Sequence, residues 1–263
     1  MFEFGKRTYI MGILNLTPDS FSDGGDFVDA EAALAHARLM ASEGADIIDI
    51  GAESTRPGAS FVEARTEIER IRPLIGRLSQ EVDIPISIDT YKAEVADYAL
   101  RNGAALINDV WGFQKDPRMA EVAAEYGCPA IVMHNSESSD YGEDIIEAMK
   151  RFFEETFRIA QAAGVSKEQL IIDPGVGFGK TMEQNIEILR RLYELKEIGC
   201  PLLLGTSRKS TIGKILDLPP KERVEGTVAT TVMGIMMGAD IVRVHDVREN
   251  YRAAKVADAV CRF

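Results

Sequence analysis

Short apolar runs recur along the chain, each separated from the next by a longer segment with amphipathic spacing. The run at 9–14 has the length and composition of a buried strand, and seven similar runs follow it. The pattern predicts strands at 9–14, 46–50, 86–88, 105–107, 130–133, 170–172, 202–204 and 241–244. Helical spacing predicts helices at 30–43, 62–80, 91–101, 117–126, 144–163, 183–196, 221–237 and 247–260.

Glycine followed by a small residue ends several of these helices immediately before the next strand. The glycines are Gly44, Gly103, Gly127, Gly199 and Gly238, and glycine is the usual residue at a helix C-terminus. Strands that alternate with helices predict a parallel sheet, and eight repeats in about 250 residues match a closed (β/α)8 TIM barrel. An open doubly wound sheet is the alternative within the α/β class. Since no linker or low-complexity tract interrupts the chain, we predict a single domain over 1–263.

Composition narrows the range of partners. The 263 residues are 46% hydrophobic, which is enough for a large core, and the net charge is −12. We therefore expect neither nucleic acid nor an anionic membrane surface as a partner. An acidic protein that binds an anion must gather its cations at the site, so arginine and lysine at strand ends are informative.

Cysteine usage and the N-terminal sequence bear on location. Cys128, Cys200 and Cys261 lack the spacing of a metal site or a disulfide set, which predicts free thiols in a reducing compartment. The N-terminus shows no secretion-signal pattern, and no apolar run approaches the length of a membrane span. These features predict a cytoplasmic protein.

Polar or glycine residues follow all eight predicted strands. The first strand leads into a polar loop at 15–25 that is longer than a turn requires and holds one isolated aromatic residue, Phe21. In a barrel, the residues that follow the strands share one rim, which is where such enzymes carry their chemistry. Helix capping explains one such residue as well as function does, but it explains eight poorly. The first residues after the strands include Asn15, Gly51, Asp89, Asn108, His134, Asp173 and Gly205.

Asp89, Asn108 and Asp173 bring two carboxylates and an amide to this rim. A carboxylate beside an amide suits a ligand with adjacent N–H donors, such as the edge of an aminopyrimidinone. The alternative is a buried carboxylate paired with a nearby lysine or arginine.

The segment at 171–180 is rich in glycine but does not match a nucleotide-binding loop. Pro174 stands where a phosphate-binding loop needs its first glycine, and the three glycines alternate instead of following the dinucleotide pattern. Bare glycine backbone beside Phe178 suits close approach to a flat ring.

Cations mark two further places. Lys209 and Ser210 stand where a helix is expected to begin, and a bound anion there would offset the unfavourable position of the lysine. Arg243 lies inside an apolar strand, so its side chain must point into the barrel mouth, and His245 follows on the same face. With Asn15 and Arg56, these two could form a second anion pocket for a phosphate or diphosphate. His36 is expected to be structural, and His134 fits either role.

Seven motifs together resemble bacterial dihydropteroate synthase over nearly the whole chain and in the right order. They are MGILNLTPDSFSDGG at 11–25, ESTRPGA at 53–59, ISIDT at 86–90, INDVWG at 107–112, DPGVGFGK at 173–180, SRKS at 207–210 and RVHDV at 243–247. The segment after the fifth strand departs from the family pattern, which leaves the role of His134 open.

The resemblance implies a pterin-binding barrel that makes 7,8-dihydropteroate from (7,8-dihydropterin-6-yl)methyl diphosphate and 4-aminobenzoate in folate synthesis, with Mg²⁺. It implies catalytic roles for Asp89, Asp173, Lys209 and Arg243. The implied pterin-binding residues are Asp89, Asn108, Met133, Asp173, Phe178, Gly205, Lys209 and Arg243. The implied diphosphate contacts are Asn15, which also binds the metal, Arg56, Arg243 and His245. The implied aminobenzoate contacts are Phe21, Thr55, Pro57, Phe178, Lys209 and Ser210.

Two other functions fit the same barrel. A pterin-dependent methyltransferase would bind methyltetrahydrofolate and would need neither the first loop nor Lys209 and Ser210. A non-catalytic pterin-binding protein would not need to keep Asn15, Arg56, Lys209 and Arg243 together. The resemblance also implies a homodimer, for which the apolar segment at 228–237 is a candidate surface, although core packing explains it equally well.

Overall fold

The computed structural model describes residues 2–16, 26–54 and 60–262, except the side chains of 26–29. All eight predicted strands are present. They are β1 (Tyr9–Asn15), β2 (Ile47–Gly51), β3 (Ile86–Asp89), β4 (Leu106–Asp109), β5 (Ala130–Met133), β6 (Leu170–Asp173), β7 (Leu203–Leu204) and β8 (Ile241–Val244). The helices of the described residues are α1 (Asp26–Ser42), α2 (Ala64–Glu81), α3 (Ala93–Arg101), α4 (Met119–Tyr126), α5 (Ile145–Ala163), α6 (Met182–Arg190), α7 (Ser210–Leu216), α8 (Val224–Met236) and α9 (Val247–Cys261).

The strands form a closed parallel barrel. Hydrogen-bonded pairs give the order β6-β5-β4-β3-β2-β1-β8-β7, and a parallel bridge between Ile172 and Leu202 joins the two ends. The predicted (β/α)8 TIM barrel is therefore confirmed, and the open doubly wound alternative is wrong. Closure places the carboxyl ends of all eight strands around one mouth.

Apolar side chains form two cores, one on each face of the barrel wall. The larger core lies between the outer strand faces and the helices, and it includes Ile48, Ile88 and Val242. The smaller core fills the inside of the barrel, and Phe2 and Phe4 pack against it. Its members are Tyr9, Met11, Ile47, Ile131, Ile171, Leu203 and Ile241.

Along β2, β6 and β8, the side chains that face the inside of the barrel change from apolar in the smaller core to polar or glycine at the mouth. Side chains two residues apart share a face, so Ile47 of β2 is followed inside the barrel by Asp49 and then by Gly51. On β8, Ile241 is followed by Arg243. The same step leads from Ile171 to Asp173 on β6, so each polar residue stands directly above an apolar one.

Two helical segments differ from the prediction. The helix expected at 183–196 is not continuous, because α6 ends at Arg190 and a 3₁₀ helix follows over Leu192–Ile198. Leu192 and Leu195 are both fully buried, and their spacing of three residues matches the three-residue turn of a 3₁₀ helix. The helix expected to begin near Ser210 is present as α7, but its seven residues lie outside the eight ranges that periodicity predicted.

The glycines predicted at helix ends adopt the expected backbone. Gly44 and Gly103 have φ of 105° and 106°, a region that favours glycine. A Cβ would also lie 2.6 Å from the ring of Tyr251 at the first position and 2.5 Å from Ser79 at the second. Both turns therefore require glycine for conformation and for space.

Across the part of the chain that the structure describes, none of the helices combines the length and the apolar character that crossing a membrane would require.

Candidate active site

Arg243 joins two carboxylates at the mouth of the barrel. Its Nε donates to Oδ2 of Asp49 at 2.6 Å, and its Nη2 donates to Oδ2 of Asp89 at 2.5 Å. The guanidinium therefore points inward, as its place in an apolar strand predicted. Burial alone would lower the pKa of Arg243, but Asp49 and Asp89 outweigh it and raise the pKa above its usual value.

Asp49 is a functional candidate that the sequence reasoning missed. It is fully buried on β2, and its Oδ2 accepts from Arg243 and also from Nδ2 of Asn108 at 3.0 Å. The sequence could have identified it. A charged residue inside an apolar strand must face a polar site, and this holds for the aspartate in IIDIG as it does for the arginine in IVRV. Asp49 thus connects two of the predicted residues, Asn108 and Arg243.

Two carboxylate oxygens in this group are buried without a protein hydrogen-bond partner among the described residues. They are Oδ1 of Asp49 and Oδ1 of Asp89. Burial raises the pKa of Asp89 to about 7. The Arg243 guanidinium opposes this rise, and the Asp49 carboxylate adds to it. A buried acceptor that stays unpaired costs roughly 1–3 kcal/mol, so a donor from a ligand would be stabilising here.

Gly205 marks the place where three other predicted residues meet. A Cβ at this position would lie 3.9 Å from Oδ2 of Asp173, 3.9 Å from Nζ of Lys209 and 3.8 Å from Cβ of Arg243. Residues from β6, from β8 and from the start of α7 therefore surround a surface without a side chain. Such a surface admits a flat ligand between the charged groups.

Lys209 lies against the glycine-rich loop. Its Nζ donates to the carbonyl of Val176 and sits 4.7 Å from the ring centroid of Phe178. Burial lowers the pKa of Lys209 to about 8, and Asp173 opposes this effect. Burial raises the pKa of Asp173, against the stabilising influence of Lys209 and of the Gly175 amide. Each charge thus stabilises the other inside the mouth.

Asn15 and His245 extend the mouth on the side of β1 and β8. A Cβ on Gly51 would lie 3.6 Å from Oδ2 of Asp89 and 3.8 Å from Oδ1 of Asn15. His245 places its Nδ1 2.9 Å from Oγ of Ser207, and its backbone N–H donates to the same oxygen at 3.1 Å. These contacts fix the imidazole beside the end of β7.

Sequence comparison agrees with this geometry. The model of a family described as pterin binding enzyme matches residues 11–245. Over 262 residues the chain is 56% identical to the dihydropteroate synthase of Clostridium beijerinckii. This match covers 99% of this chain and 97% of that protein. The chain belongs to the dihydropteroate synthase family. It is accordingly an enzyme of the transferase kind that serves folate synthesis.

Solved structures of the same family superpose closely. A dihydropteroate synthase from Clostridium difficile, determined in the presence of pteroic acid, gives a TM-score of 0.98 at 58% identity and covers 100% of both chains. The enzyme from Xanthomonas albilineans in complex with 7,8-dihydropteroate gives 0.89 at 40% identity, covering 97% of this chain and 94% of that one. The barrel described above is therefore the dihydropteroate synthase fold.

The remaining residues implied by the family fall into two groups. Met133 ends β5 and is buried, Phe178 is half-buried beside Lys209, and Ser210 is exposed as the first residue of α7. Phe21, Thr55, Arg56 and Pro57 lie outside the described residues. The predicted grouping of Asn15, Arg243 and His245 with Arg56 stays a prediction for that reason.

Arg208 and His134 have contacts that indicate structural roles. Arg208 pairs with Asp246 through Nε at 3.0 Å and through Nη2, so its charge is neutralised within the protein. The backbone of Arg208 has φ of 57° and is held by the guanidinium of Arg223, which donates to its carbonyl at 2.8 Å. His134 is buried edge-on against Phe152, and burial lowers its pKa to about 2, so its ring is neutral.

Proposed function

We propose that the mouth of this barrel carries out the condensation of (7,8-dihydropterin-6-yl)methyl diphosphate with 4-aminobenzoate. The observation that carries the proposal is the chain of contacts from Asn108 through Asp49 to Arg243 and on to Asp89, with Asp173 and Lys209 beside Gly205. This arrangement offers acceptors, donors and one open face to a flat heterocycle. The synthase from Xanthomonas albilineans solved with 7,8-dihydropteroate supports the same product.

The pterin edge would lie on the carboxylates. Adjacent N–H groups of an aminopyrimidinone match Oδ1 of Asp89, which has no partner among the described residues, and the Asp173 carboxylate. Asn108 would complete the edge with an amide, while Gly205 leaves room for the ring and Met133 lines it. The guanidinium of Arg243, already held by two carboxylates, would stack on the ring.

The diphosphate would lie towards Asn15, Arg243 and His245, with Arg56 as a further contact. Asn15 offers an amide oxygen beside the carboxylate of Asp89, and hard oxygen ligands of this kind suit Mg²⁺ that is also held by phosphate and water. The described residues contain no group of three His, Cys, Asp or Glu able to hold a metal by themselves. This donor set fits an ion that arrives with the diphosphate. When bound, Mg²⁺ would neutralise charge on the leaving group.

Substitution would be dissociative. The bond between the pterin methylene carbon and the diphosphate oxygen breaks first, and the electron pair leaves with the diphosphate. Asp89 and Asp173 provide negative potential for the resulting cation. The neutral arylamine then forms the new C–N bond and releases its proton to the departing diphosphate. Since this reaction needs no protein nucleophile, catalysis rests on positioning and electrostatics.

The aminobenzoate would lie between Phe178 and Lys209, with Ser210 at the carboxylate. Phe178 offers an aromatic face next to the Lys209 ammonium, which suits a ring that bears a negative charge. Phe21, Thr55 and Pro57 are proposed to complete this subsite.

A homodimer is proposed from an exposed apolar surface on α8 and α9. Met233 and Met236 of α8 are 46% and 65% exposed, and Val256 and Val260 of α9 are 67% and 65% exposed. Apolar side chains grouped on two packed helices are typical of a protein interface. A cytoplasmic location is proposed because the three cysteines are free thiols.

Mixing purified protein with pterin diphosphate, 4-aminobenzoate and Mg²⁺ tests the function. We expect dihydropteroate and diphosphate in equal amounts, and we expect Asp173→Ala to abolish turnover while the protein still melts cooperatively. Near-normal turnover by that variant would refute the pterin assignment. Methyl transfer from methyltetrahydrofolate, without diphosphate release, would instead support the methyltransferase.

A further inference from the structure

The ammonium of Lys180 is held by backbone carbonyl groups at the end of the glycine-rich loop. Its Nζ donates to the carbonyls of Phe178 at 2.8 Å, Gly175 at 2.9 Å and His134 at 3.3 Å. An ammonium has three N–H donors, so these three acceptors use all of them. Lys180 therefore does not extend towards a phosphate in the way that the lysine of a nucleotide-binding loop does.

Two of these acceptors belong to the loop and the third belongs to the segment after β5. The loop lies directly against that segment, because a Cβ on Gly175 would overlap the carbonyl of His134 and a Cβ on Gly179 would overlap that of Ser136. Both glycines have positive φ, 64° and 55°. Lys180 thus joins the two sides of a contact at which no side chain fits.

The loop in turn holds groups of the active site. The Gly175 amide donates to Oδ1 of Asp173 at 2.7 Å, Val176 presents its carbonyl to Lys209, and Phe178 presents its ring to the same ammonium. A shift of the loop away from β5 would therefore move three contacts of Asp173 and Lys209 together.

Placing the Lys180 ammonium here costs free energy, because burial removes water from the charged group. Burial lowers the pKa of Lys180 to about 7, with Asp173 opposing the effect and Lys209 adding to it. A neutral or shorter side chain would avoid that desolvation but would leave loop carbonyls without donors. The three carbonyls that converge on this point therefore explain why a lysine is found here despite its desolvation.

We propose that Lys180 is a positioning residue for the condensation, which holds the loop at 174–179 on the end of β5 so that Phe178 and Lys209 are in place for the aminobenzoate. The inference rests on the proposed function, since it assigns these two residues to that subsite. Lys180 is assigned no contact with either substrate, because its three N–H donors are used by protein carbonyls.

Steady-state kinetics of Lys180→Met tests this role, with Lys167→Met as the matched control. Lys167 also donates to a backbone carbonyl, that of Ile198 at 2.5 Å, but it precedes β6 and so lies at the opposite end of the barrel. We expect Lys180→Met to raise the KM for aminobenzoate by about tenfold or more. The KM for the pterin diphosphate should rise by a smaller factor, because the loop also contacts Asp173 and Lys209. Lys167→Met should leave both constants near wild type.

Unchanged KM for aminobenzoate in a folded Lys180→Met, or equal increases in both KM values, would overturn the inference. If that variant does not fold, Tyr141→Phe removes the hydrogen bond from the hydroxyl to the Gly179 carbonyl at 2.7 Å and leaves Lys180 in place. It should raise the same KM by a smaller factor, and no rise would contradict the proposal. Failure of the function itself is distinguishable, because the wild-type protein would then form no dihydropteroate.

Discussion

At the scale of single residues, the mouth is a balance of buried charges. Asp49, Asp89 and Asp173 provide three carboxylates, and Arg243 and Lys209 provide two cations in contact with them or near them. Removing one member of such a group leaves another buried charge uncompensated, which costs more than the net value of the pair. Conservative substitutions at these positions should therefore have large effects on turnover.

Asp49→Asn tests the residue that sequence reasoning missed. The asparagine amide has the shape of the carboxylate but lacks the negative charge to which Arg243 and Asn108 donate. Hydrogen bonds to charged groups contribute roughly 1.5–3 kcal/mol, so we expect kcat/KM to fall by about tenfold or more while the variant folds.

The control for that variant is Asp240→Asn. Asp240 is also buried and charged, and its Oδ2 accepts from Nζ of Lys196 at 2.8 Å and from the Leu202 amide at 3.0 Å. It directly precedes β8, at the end opposite the mouth. This variant should lower Tm and leave kcat/KM near wild type. Equal kinetic effects of the two variants would show that Asp49 acts only on stability.

A second residue-scale prediction concerns pH. Burial raises the pKa of Asp89 to about 7. The Arg243 guanidinium opposes this rise, and the Asp49 carboxylate adds to it. Protonation removes the anion that Arg243 holds, so kcat/KM should fall as the pH drops through about 7. In Asp49→Asn this acid limb should move to lower pH, because a neighbouring negative charge is gone. A pH profile that is identical in the two proteins would contradict this account.

The same pKa has the opposite effect on stability. A carboxyl whose pKa is raised in the folded state favours folding most when it is protonated. Its contribution to the free energy of unfolding is therefore greatest at low pH and is lost as the pH rises from its unfolded value, about 3.9, through about 7. Activity and stability should respond to this group in opposite directions.

At the scale of elements, the glycine-rich loop shows why a motif can mislead. Its three glycines and terminal lysine resemble a phosphate loop only in composition, and the structure shows that they serve close packing. Gly175 meets the carbonyl of His134, and Gly177 lies where a Cβ would be 3.2 Å from Cδ of Lys209. The sequence could exclude a nucleotide loop through Pro174, but it could not show which neighbour required each glycine.

Gly175→Ala and Gly142→Ala separate backbone strain from the clash. Both glycines have positive φ, 64° and 63°, but a Cβ on Gly142 meets no atom within 4 Å. A left-handed alanine costs about 1–2 kcal/mol, which is the full loss expected in Gly142→Ala. Gly175→Ala should lose more stability and also lower kcat/KM, since the loop must move from His134. Denaturant unfolding and kinetics check both, and equal losses would disprove the role of the contact.

At the scale of the whole molecule, the two ends of the barrel differ in chemistry. Phe2 and Phe4 cover the inner apolar core at one end, with Tyr9 packed against both rings. The other end collects the charged residues. Outside the barrel, α8 and α9 carry the exposed apolar surface that we propose for dimerisation.

Met236→Glu tests that surface. A charge in the middle of an apolar interface must be desolvated without a partner, so we expect sedimentation velocity to show a shift from dimer to monomer. Leu39→Glu is the control, because Leu39 is 46% exposed on α1, outside that surface. A wild-type protein that is already monomeric would refute the dimer.

Periodicity and the residues that follow each strand were sufficient to predict the barrel, its strand ends and the residues Asp89, Asn108, Asp173 and Arg243 at one mouth. They were sufficient because alternation along a strand and the closure of a parallel sheet follow from local backbone geometry. The partners of these residues depend on contacts between strands that are far apart in sequence. Asp49 beside Arg243 and Lys180 beneath the loop became recognisable only when the closed barrel brought those strands together.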